Sequence, residues 1–275
     1  MFAPLNPPIR DWRGRRVWLV GASSGIGAAL SRALLDAGAR VALTARRSPP
    51  LAEIGADALG QGRALALPAD VTSAASVRAA HDRIVAQWGG IDFAFWVAGT
   101  YAPMRAHDFE LAGARRMLET NLGGVLNGLQ VLLPTLLAQG SGGVALVSSV
   151  AGYRGLPRSL VYGPTKAALN NLAESLYLDL HPRGLGVYLI NPGFVETPLT
   201  AANDFRMPAL ISAEEAARRI LAGVAQGRFE THFPARFSVV LNLLRLLPYR
   251  AYFAAIRRIT GIGDERVPRA GDALR

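Results

Sequence analysis

Hydrophobic residues along the chain occur in short, nearly continuous runs that alternate with longer segments of helical spacing. The first run, Arg16 to Val20, is followed by a segment from Gly25 to Ala37 in which apolar residues recur every three or four positions. This alternation is typical of βαβ units. Runs that are apolar at almost every position indicate strands buried on both faces of a parallel sheet. The pattern therefore predicts an α/β fold with a doubly wound parallel sheet.

The same pattern predicts the remaining elements of one large domain. The further strands are Arg40 to Thr44, Arg63 to Leu67, Asp92 to Val97, Val144 to Ser148 and Gly186 to Ile190. The further helices are Ala74 to Gln87, Ala114 to Ala138, Pro164 to Leu180 and Ala213 to Ala225. A chain of 275 residues suits a single domain of this kind. We place that domain at residues 13–234 and a short helical extension at residues 235–275.

The extension is apolar and basic, and it predicts two short amphipathic helices separated at Pro248. Its apolar residues at helical spacing are Phe237, Val240, Leu241, Leu244 and Leu247, then Tyr249, Tyr252, Phe253, Ile256 and Ile259. Eight arginines against three acidic residues give the extension +5 of the net charge of +10. Two interpretations stay open. The helices pack on the domain or on a second subunit, or residues 235–262 make a peripheral contact with an anionic membrane.

Composition disfavours several other classes of function. The basic residues are spread along the chain and form no reading motif, so no nucleic-acid partner is expected. With no cysteine and four scattered histidines, the sequence predicts neither a disulfide nor a metal site. No window has the roughly 18 uncharged apolar residues of a membrane span, and no apolar signal core begins the chain. We expect a cytoplasmic protein, with contact to the cytoplasmic membrane face left open.

A glycine-rich turn joins the first predicted strand to the first predicted helix. Glycine permits a tight turn and close backbone approach, and a helix N-terminus offers free N–H groups to a pyrophosphate. A simple tight connection is the alternative interpretation. The position inside a βαβ unit favours a Rossmann-type dinucleotide site, and its assigned residues are Gly21, Ser23, Ser24, Gly25, Ile26 and Gly27.

Arg46 and Arg47 follow the second predicted strand, where NAD-binding proteins usually have an acidic residue. A guanidinium there matches a 2′-phosphate in charge and in its forked donors. The pair predicts NADP(H) as the cofactor, with two solvated surface arginines as the alternative. Weaker candidates for the adenine and nicotinamide ends are Asp70 and Val71 after the third strand, and Ala98 and Gly99 after the fourth.

An ordered set of residues surrounds the fifth strand and the next helix. Ser149 lies thirteen residues before Tyr162, and Lys166, the only lysine of the chain, lies four after it. With the glycine-rich loop, Ala98-Gly99, Asn121 and the segment from Asn191 to Pro198, the chain resembles the short-chain dehydrogenase/reductase family over roughly Arg13 to Pro234. The resemblance implies hydride transfer between a nicotinamide cofactor and a small-molecule carbonyl or secondary alcohol. It also implies a homo-oligomer.

Tyr162 and Lys166 are predicted to form the proton-transfer pair. Their spacing places both side chains on one face of a helix. Tyrosine titrates near pH 10, so proton exchange near neutrality requires the phenolate to be favoured. We expect this from the charge of Lys166 together with that of the nicotinamide. Pro164 is tolerated in a first turn, which places Tyr162 at the entrance of the helix.

The resemblance implies roles for the remaining site residues. Ser149 would hydrogen-bond the reacting oxygen, and Asn121 would hold a water in a proton relay behind Lys166. A helix-capping or helix-kinking amide is the alternative for Asn121. The residues that would close over the nicotinamide are Pro192, Gly193, Val195 and Thr197.

The chain departs from the family pattern at two places. Trp96-Val97 stands where members usually have Asn-Asn before Ala98-Gly99, and Val20 stands where they have Thr. We expect local repacking, with cofactor affinity the property at stake.

The substrate is less well defined by the sequence. The loop from Leu199 to Leu210, with Phe205, Met207 and Pro208, is expected to form a substrate lid. The extension resembles that of membrane-associated members that act on ketosphinganines or ketosteroids, which implies a hydrophobic or lipid-like ketone. Two rival functions remain: an NAD-dependent alcohol dehydrogenase, and a non-catalytic dinucleotide-binding protein at a membrane surface.

Overall fold

A seven-stranded sheet with the strand order β3-β2-β1-β4-β5-β6-β7 forms the centre of the computed structural model, which describes residues 3–201 and 207–262. The strands are β1 (Arg16–Val20), β2 (Arg40–Ala45), β3 (Ala64–Pro68), β4 (Phe93–Trp96), β5 (Gly143–Val147), β6 (Gly186–Pro192) and β7 (Glu230–Phe233). Every neighbouring pair is parallel. The predicted doubly wound α/β fold is confirmed.

Six strands lie within two residues of their predicted ends because their sequences are nearly all apolar, and five of them, all except the edge strand β3, are largely buried. The seventh, β7, is not predicted by the hydrophobic pattern. It has only four residues, begins with Glu230, Thr231 and His232, and pairs with β6 alone at the edge of the sheet. An edge strand needs fewer apolar residues, so its sequence carries little signal.

The helices are α1 (Gly25–Asp36), α2 (Ser48–Ile54), α3 (Ala56–Gly60), α4 (Ala74–Trp88), α5 (Leu111–Leu118), α6 (Gly124–Gln139), α7 (Tyr162–Leu180), α8 (Ala213–Ala225), α9 (Ala235–Leu244) and α10 (Tyr249–Thr260). Helices α1 and α8 pack on one face of the sheet, and α4, α6 and α7 pack on the other. Alternating residues of β1 show this division. Val17 and Leu19 contribute to the first core, whereas Trp18 and Val20 contribute to the second.

Helices α5 and α6 are joined by a π-helical turn at Glu119–Gly123, so Leu111–Gln139 is one continuous helical stretch. By length and composition alone, this stretch could cross a membrane, with a mean hydropathy of 1.3 in its most apolar window. Its apolar residues Val125, Leu129 and Leu132 are instead buried against the sheet. Packing in the core of the domain accounts for its apolar character.

The two predicted helices of the C-terminal extension are present as α9 and α10, on either side of Pro248. Arg154, in the loop after β5, holds them to the domain. Its guanidinium lies 4.7 Å from the ring centroid of Tyr249 and 4.1 Å from that of Tyr252. Its Nη1 donates hydrogen bonds of 3.5, 3.0 and 2.7 Å to the carbonyls of Leu244, Arg245 and Leu247. One side of the extension therefore packs on the domain; residues 263–275 lie outside the described residues.

Candidate active site

The loops that carry the predicted site residues leave the same edge of the sheet, at the carboxyl ends of the strands. They begin at Gly21 after β1, Arg46 after β2, Asp70 after β3, Ala98 after β4 and Ser149 after β5, and Pro192 ends β6. Strands β1 and β4 are neighbours, although β2 and β3 lie between them in the chain. Such a reversal of strand order opens a crevice where parallel α/β sheets bind dinucleotides.

The glycine-rich loop is packed too closely to admit side chains at two positions. Gly21 has φ 96°, and a Cβ atom there would lie 2.5 Å from the amide nitrogen of Ala98. A Cβ atom on Gly27 would lie 2.0 Å from the carbonyl oxygen of Gly21. The N-terminus of α1 is thereby held at the ends of β1 and β4. Ser24 is exposed and makes no side-chain capping bond, which leaves the first-turn N–H groups of α1 for an anionic ligand.

The remaining loop residues surround this helix terminus. Ser23 is half-buried, and Ile26 is half-buried against the core that lies under α1. A Cβ atom on Gly25 would lie 2.7 Å from Cγ2 of Thr197. The structure therefore brings the segment after β6 against the glycine-rich loop, and the closure of this segment over a nicotinamide stays a prediction.

Thr200 fixes the shape of that segment. Its Oγ1 donates to the carbonyl of Val195 at 2.6 Å and accepts a 3.2 Å hydrogen bond from the amide of Thr197. Val195 also pairs with Ile211, and the amide of Gly193 donates to the carbonyl of Phe233 at 2.6 Å. Of the predicted lid, residues 202–206, and with them Phe205, lie outside the described residues.

Arg46 and Arg47 are exposed at the end of β2, beside the loop after β3. There the Asp70 carboxylate accepts hydrogen bonds from the amide and hydroxyl of Thr72, at 2.9 and 2.8 Å. These bonds and, to a smaller extent, the charge of Arg46 hold the pKa of Asp70 below its usual value. The next residue, Val71, packs against Gly124 of α6. The predicted 2′-phosphate and adenine residues thus border one side of the crevice.

The four predicted catalytic residues converge behind Ala98 and Gly99. Lys166 is buried, and its Nζ donates to the carbonyl of Val147 at 3.0 Å and lies 5.7 Å from the ring centroid of Tyr162. The hydroxyl of Tyr162 is hydrogen-bonded to Ser149. A Cβ atom on Gly99 would lie 3.3 Å from Oδ1 of Asn121 and 3.5 Å from Nζ of Lys166. The predicted cofactor-binding and proton-transferring residues therefore lie together at one site.

Asn121 lies in the π-helical turn between α5 and α6 and is fully buried. Its Oδ1 accepts from the amide of Thr100 at 2.7 Å, and its Nδ2 donates to the carbonyl of Thr100 at 2.9 Å. Nδ2 also donates to Oγ1 of Thr165 at 3.1 Å. The side chain joins the loop after β4 to the catalytic helix α7, at a kind of turn that is frequent at functional sites. Its part in a water relay stays a prediction.

Both side chains of the pair have pKa values that are shifted by burial. Burial raises the pKa of Tyr162 to about 12, against a partial lowering by the hydrogen bond with Ser149. Burial also lowers the pKa of Lys166 to about 8. The expected lowering of the Tyr162 pKa depends on the charge of a bound nicotinamide as well as on that of Lys166, and it stays a prediction. At neutral pH Tyr162 holds its proton and Lys166 is mostly charged.

A cavity of about 120 Å³ opens directly in front of Ser149 and Tyr162. Its other walls are largely apolar and include Leu156, Pro157, Phe194, Leu199 and Phe237. Among the described residues, no charged side chain lines it. Cavities with mostly apolar walls and a few convergent polar groups are typical of small-molecule binding sites.

Two aromatic residues complete this cavity without having been assigned to it from the sequence. Tyr101 packs edge-on against Tyr162, with ring centroids 5.0 Å apart. Phe237 of α9 contacts Phe194, with ring centroids 5.4 Å apart. Tyr101 follows Gly99 by two residues, which is the only local signal for it. Nothing local connects Phe237 to a catalytic residue 75 positions away.

Sequence comparison agrees with this geometry. A family model described as short chain dehydrogenase matches residues 15–206. The chain belongs to the short-chain dehydrogenase family. An uncharacterized oxidoreductase of Myxococcus xanthus is 33% identical over 246 residues, covering 89% of this chain and 97% of the relative. An uncharacterized oxidoreductase of Staphylococcus epidermidis is 32% identical over 208 residues, covering 76% of this chain and 90% of the relative.

Solved structures of other short-chain dehydrogenases have the same fold. The enzyme from Burkholderia cenocepacia, solved in complex with NADP, is 25% identical with a TM-score of 0.78 and covers 90% of this chain and 98% of its own. A short-chain type dehydrogenase/reductase from Mycobacterium marinum is 28% identical with a TM-score of 0.73, covering 81% and 94%. The protein is thus an oxidoreductase of the short-chain dehydrogenase type, a family that binds nicotinamide dinucleotides.

Trp96, one of the departures from the family pattern, is packed inside this short-chain dehydrogenase. The indole is buried, and its ring centroid lies 5.6 Å from that of Trp18. On its other side lies Gly128 of α6, which has no side chain to collide with it. Trp96 is thus packed within the core, and the expected effect of this departure on cofactor affinity stays a prediction.

Proposed function

We propose that the protein is an NADP(H)-dependent reductase of a hydrophobic, lipid-like ketone. The observation that carries the proposal is that Ser149 and Tyr162 line an apolar cavity at the carboxyl ends of the strands, with Nζ of Lys166 5.7 Å from the ring centroid of Tyr162. The two hydroxyls are the only groups we assign to the reacting oxygen. The apolar walls select the substrate.

The residues of the crevice fit an NADP(H) molecule. The close packing at Gly21 and Gly27 holds the N-terminus of α1 at the ends of β1 and β4, where its uncapped first turn would supply donors to a pyrophosphate. The exposed Arg46 supplies a cation where a 2′-phosphate would lie. When bound, NADPH supplies the hydride. Its nicotinamide end is assigned to Lys166 and to the segment from Pro192 to Thr197.

Proton delivery follows from the state of the three polar side chains. Because the pKa of Tyr162 is about 12, its hydroxyl is protonated at neutral pH and able to act as an acid. Ser149 and Tyr162 would both donate to the carbonyl oxygen, which polarises it. As that oxygen gains negative charge, Tyr162 gives up its proton, and the charge of Lys166 stabilises the phenolate that remains.

A screen of carbonyl compounds, read from NADPH absorbance, tests the reaction. We expect oxidation of NADPH with long-chain or polycyclic ketones and at least a hundredfold loss in Tyr162→Phe, the low end of the usual contribution of an acid–base residue. Tyr177→Phe on the same helix is the matched control, because its hydroxyl donates to the carbonyl of Leu5 away from the cavity. Activity that survives in Tyr162→Phe, or no turnover of any ketone or aldehyde, contradicts the proposal.

The choice of cofactor is tested by titrating NADPH and NADH into wild type and Arg46→Ala. A charged hydrogen bond is worth about 1.5–3 kcal/mol, so we expect a ten- to hundredfold selective loss of NADPH affinity. Arg40→Ala is the control, since Arg40 is exposed at the other end of the same strand. Equal losses of affinity for NADPH and NADH would contradict the assignment of NADP(H) and favour the NAD-dependent alternative.

A further inference from the structure

Helix α9 has an inward face that packs on the domain and an outward face that is apolar. Ser238 is fully buried, and its hydroxyl is 2.7 Å from Nδ1 of His232. The side chains that lie outward at helical spacing are large and aliphatic, and the adjoining turn adds Leu246. Their exposed fractions are 44% for Val239, 49% for Val240, 61% for Leu243 and 74% for Leu246.

Helix α10 repeats this arrangement. Tyr252 and Ile256 are buried, and the hydroxyl of Tyr252 donates to the carbonyl of Gly155 at 2.8 Å. Tyr249, Phe253 and Ile259 are half or more exposed. A single exposed apolar residue needs no explanation, but a set of large ones on two consecutive amphipathic helices marks a surface that binds something.

The charge of this segment restricts what it can bind. Residues 235–262 contain no acidic residue, and their five exposed arginines are Arg236, Arg245, Arg250, Arg257 and Arg258. A two-fold contact with a second copy of the chain would bring this same basic segment against itself. An anionic lipid surface suits both the exposed apolar side chains and the basic charge, because aliphatic side chains enter the acyl boundary while arginines remain at the headgroups.

We propose that the tail surface, formed by the exposed side chains of residues 236–259, docks on an anionic lipid bilayer. Membrane contact is then peripheral, through helices that lie on the bilayer. Phe237, on the inward side of α9, lines the cavity in front of Tyr162, so the lipid-bound helix also forms a wall of the active site. The docking depends on the tail surface alone and not on turnover, so it stands or falls independently of the proposed reductase activity.

Flotation of the full-length protein with vesicles tests the docking. We expect binding to phosphatidylglycerol–phosphatidylcholine vesicles and little binding to pure phosphatidylcholine, with a decrease at high salt. Replacing both Leu243 and Leu246 by Glu should lower the fraction bound at least tenfold. The matched control is Leu178→Glu on α7, because Leu178 is 73% exposed and Leu246 is 74% exposed. The single variant Leu246→Glu should also lower the fraction bound. Because Leu246 lies beyond the end of α9, we expect the variant to fold normally, and thermal melting checks this.

The arginines are tested separately. Each of Arg250→Gln and Arg257→Gln should reduce binding about fivefold, the usual worth of one basic residue near an anionic membrane. Arg32→Gln, an exposed site on α1, should leave binding unchanged. The proposal is overturned if wild type does not float with anionic vesicles, or if Leu178→Glu lowers binding as much as Leu246→Glu. A dimer in light scattering that Leu246→Glu dissociates would assign the surface to a second copy and also overturn it.

Discussion

The indole of Trp96 occupies the space that a Cβ atom on Gly128 would need, with two ring carbons 2.1 Å from that position. Strand β4 and helix α6 are therefore matched at this contact: the bulky residue at the end of the strand requires glycine in the helix. Because glycine is about 1 kcal/mol worse than alanine inside a helix, the chain sacrifices local stability for this fit.

We predict that Gly128→Ala destabilises the protein by about 1–3 kcal/mol, the usual cost of overpacking a core. In a Trp96→Leu background the same substitution should be neutral or stabilising, because the ring is gone and alanine favours the helix. Urea unfolding of the two single variants and the double variant measures this coupling. Gly60→Ala in α3 has open space around it and serves as the control. Additive effects at positions 96 and 128 would contradict the contact.

Lys166 should reduce stability while it enables catalysis. Its pKa is about 8 in the folded protein against 10.5 when solvated, so the folded state binds this proton more weakly. Wild-type stability should therefore rise with pH between about 8 and 10.5, relative to a variant without the amine. We predict that Lys166→Met is inactive, and that its stability relative to wild type falls by about 3 kcal/mol across that interval. Denaturant unfolding of both proteins at pH 7, 9 and 10.5 measures the difference in their free energies of unfolding. A difference that does not change with pH would refute the prediction.

The ion pair between Arg16 and Asp92 joins β1 to the turn before β4. It lies at the amino ends of these two strands, whereas the site lies at the carboxyl ends. Its carboxylate accepts from the amide of Arg16 at 2.8 Å and from Nε at 3.1 Å. Burial raises the pKa of Asp92, but these bonds outweigh it and leave the pKa below its usual value. The stabilisation is thus present above pH 4 and is lost as pH falls through the lowered pKa.

We predict that Asp92→Asn costs about 1–2 kcal/mol at pH 7 and less at pH 3, with NADPH affinity unchanged. Asp11→Asn provides the comparison, because the ion pair between Asp11 and Arg13 is exposed and screened by solvent. Denaturant unfolding at both pH values gives the result. An equal cost in the two variants would mean that the partial burial of Asp92 is unimportant.

Arg154 is predicted to control substrate binding through the extension. Since its guanidinium holds the end of α9, Arg154→Ala should loosen Phe237 and the cavity wall. We expect a several-fold rise in KM for a hydrophobic ketone, an unchanged KM for NADPH, and faster tryptic cleavage within residues 235–262. Arg183→Ala, just beyond the end of α7, should change neither the KM for the ketone nor the rate of tryptic cleavage. Equal rises in both KM values would point to a general loss of structure instead.

The sequence was sufficient for six of the seven strands and for the shared position of the predicted catalytic residues, because both depend on local pattern. Continuous apolar runs predict β1 to β6, and the spacing of Tyr162 and Lys166 requires only one helix. The wall formed by Phe237 could not be predicted, since it depends on the packing of α9 against the segment after β6. The rise of the Tyr162 pKa could not be predicted for a related reason: it comes from burial, which is a property of the assembled fold.

The burial of the only lysine has a practical consequence for chemical labelling. Amine-directed acylating reagents will find no exposed side chain to modify and, apart from the terminal amine, will react only when the cleft opens. Acylation of Lys166, followed by mass spectrometry, would therefore report transient opening of the active site without competing reactions elsewhere on the surface.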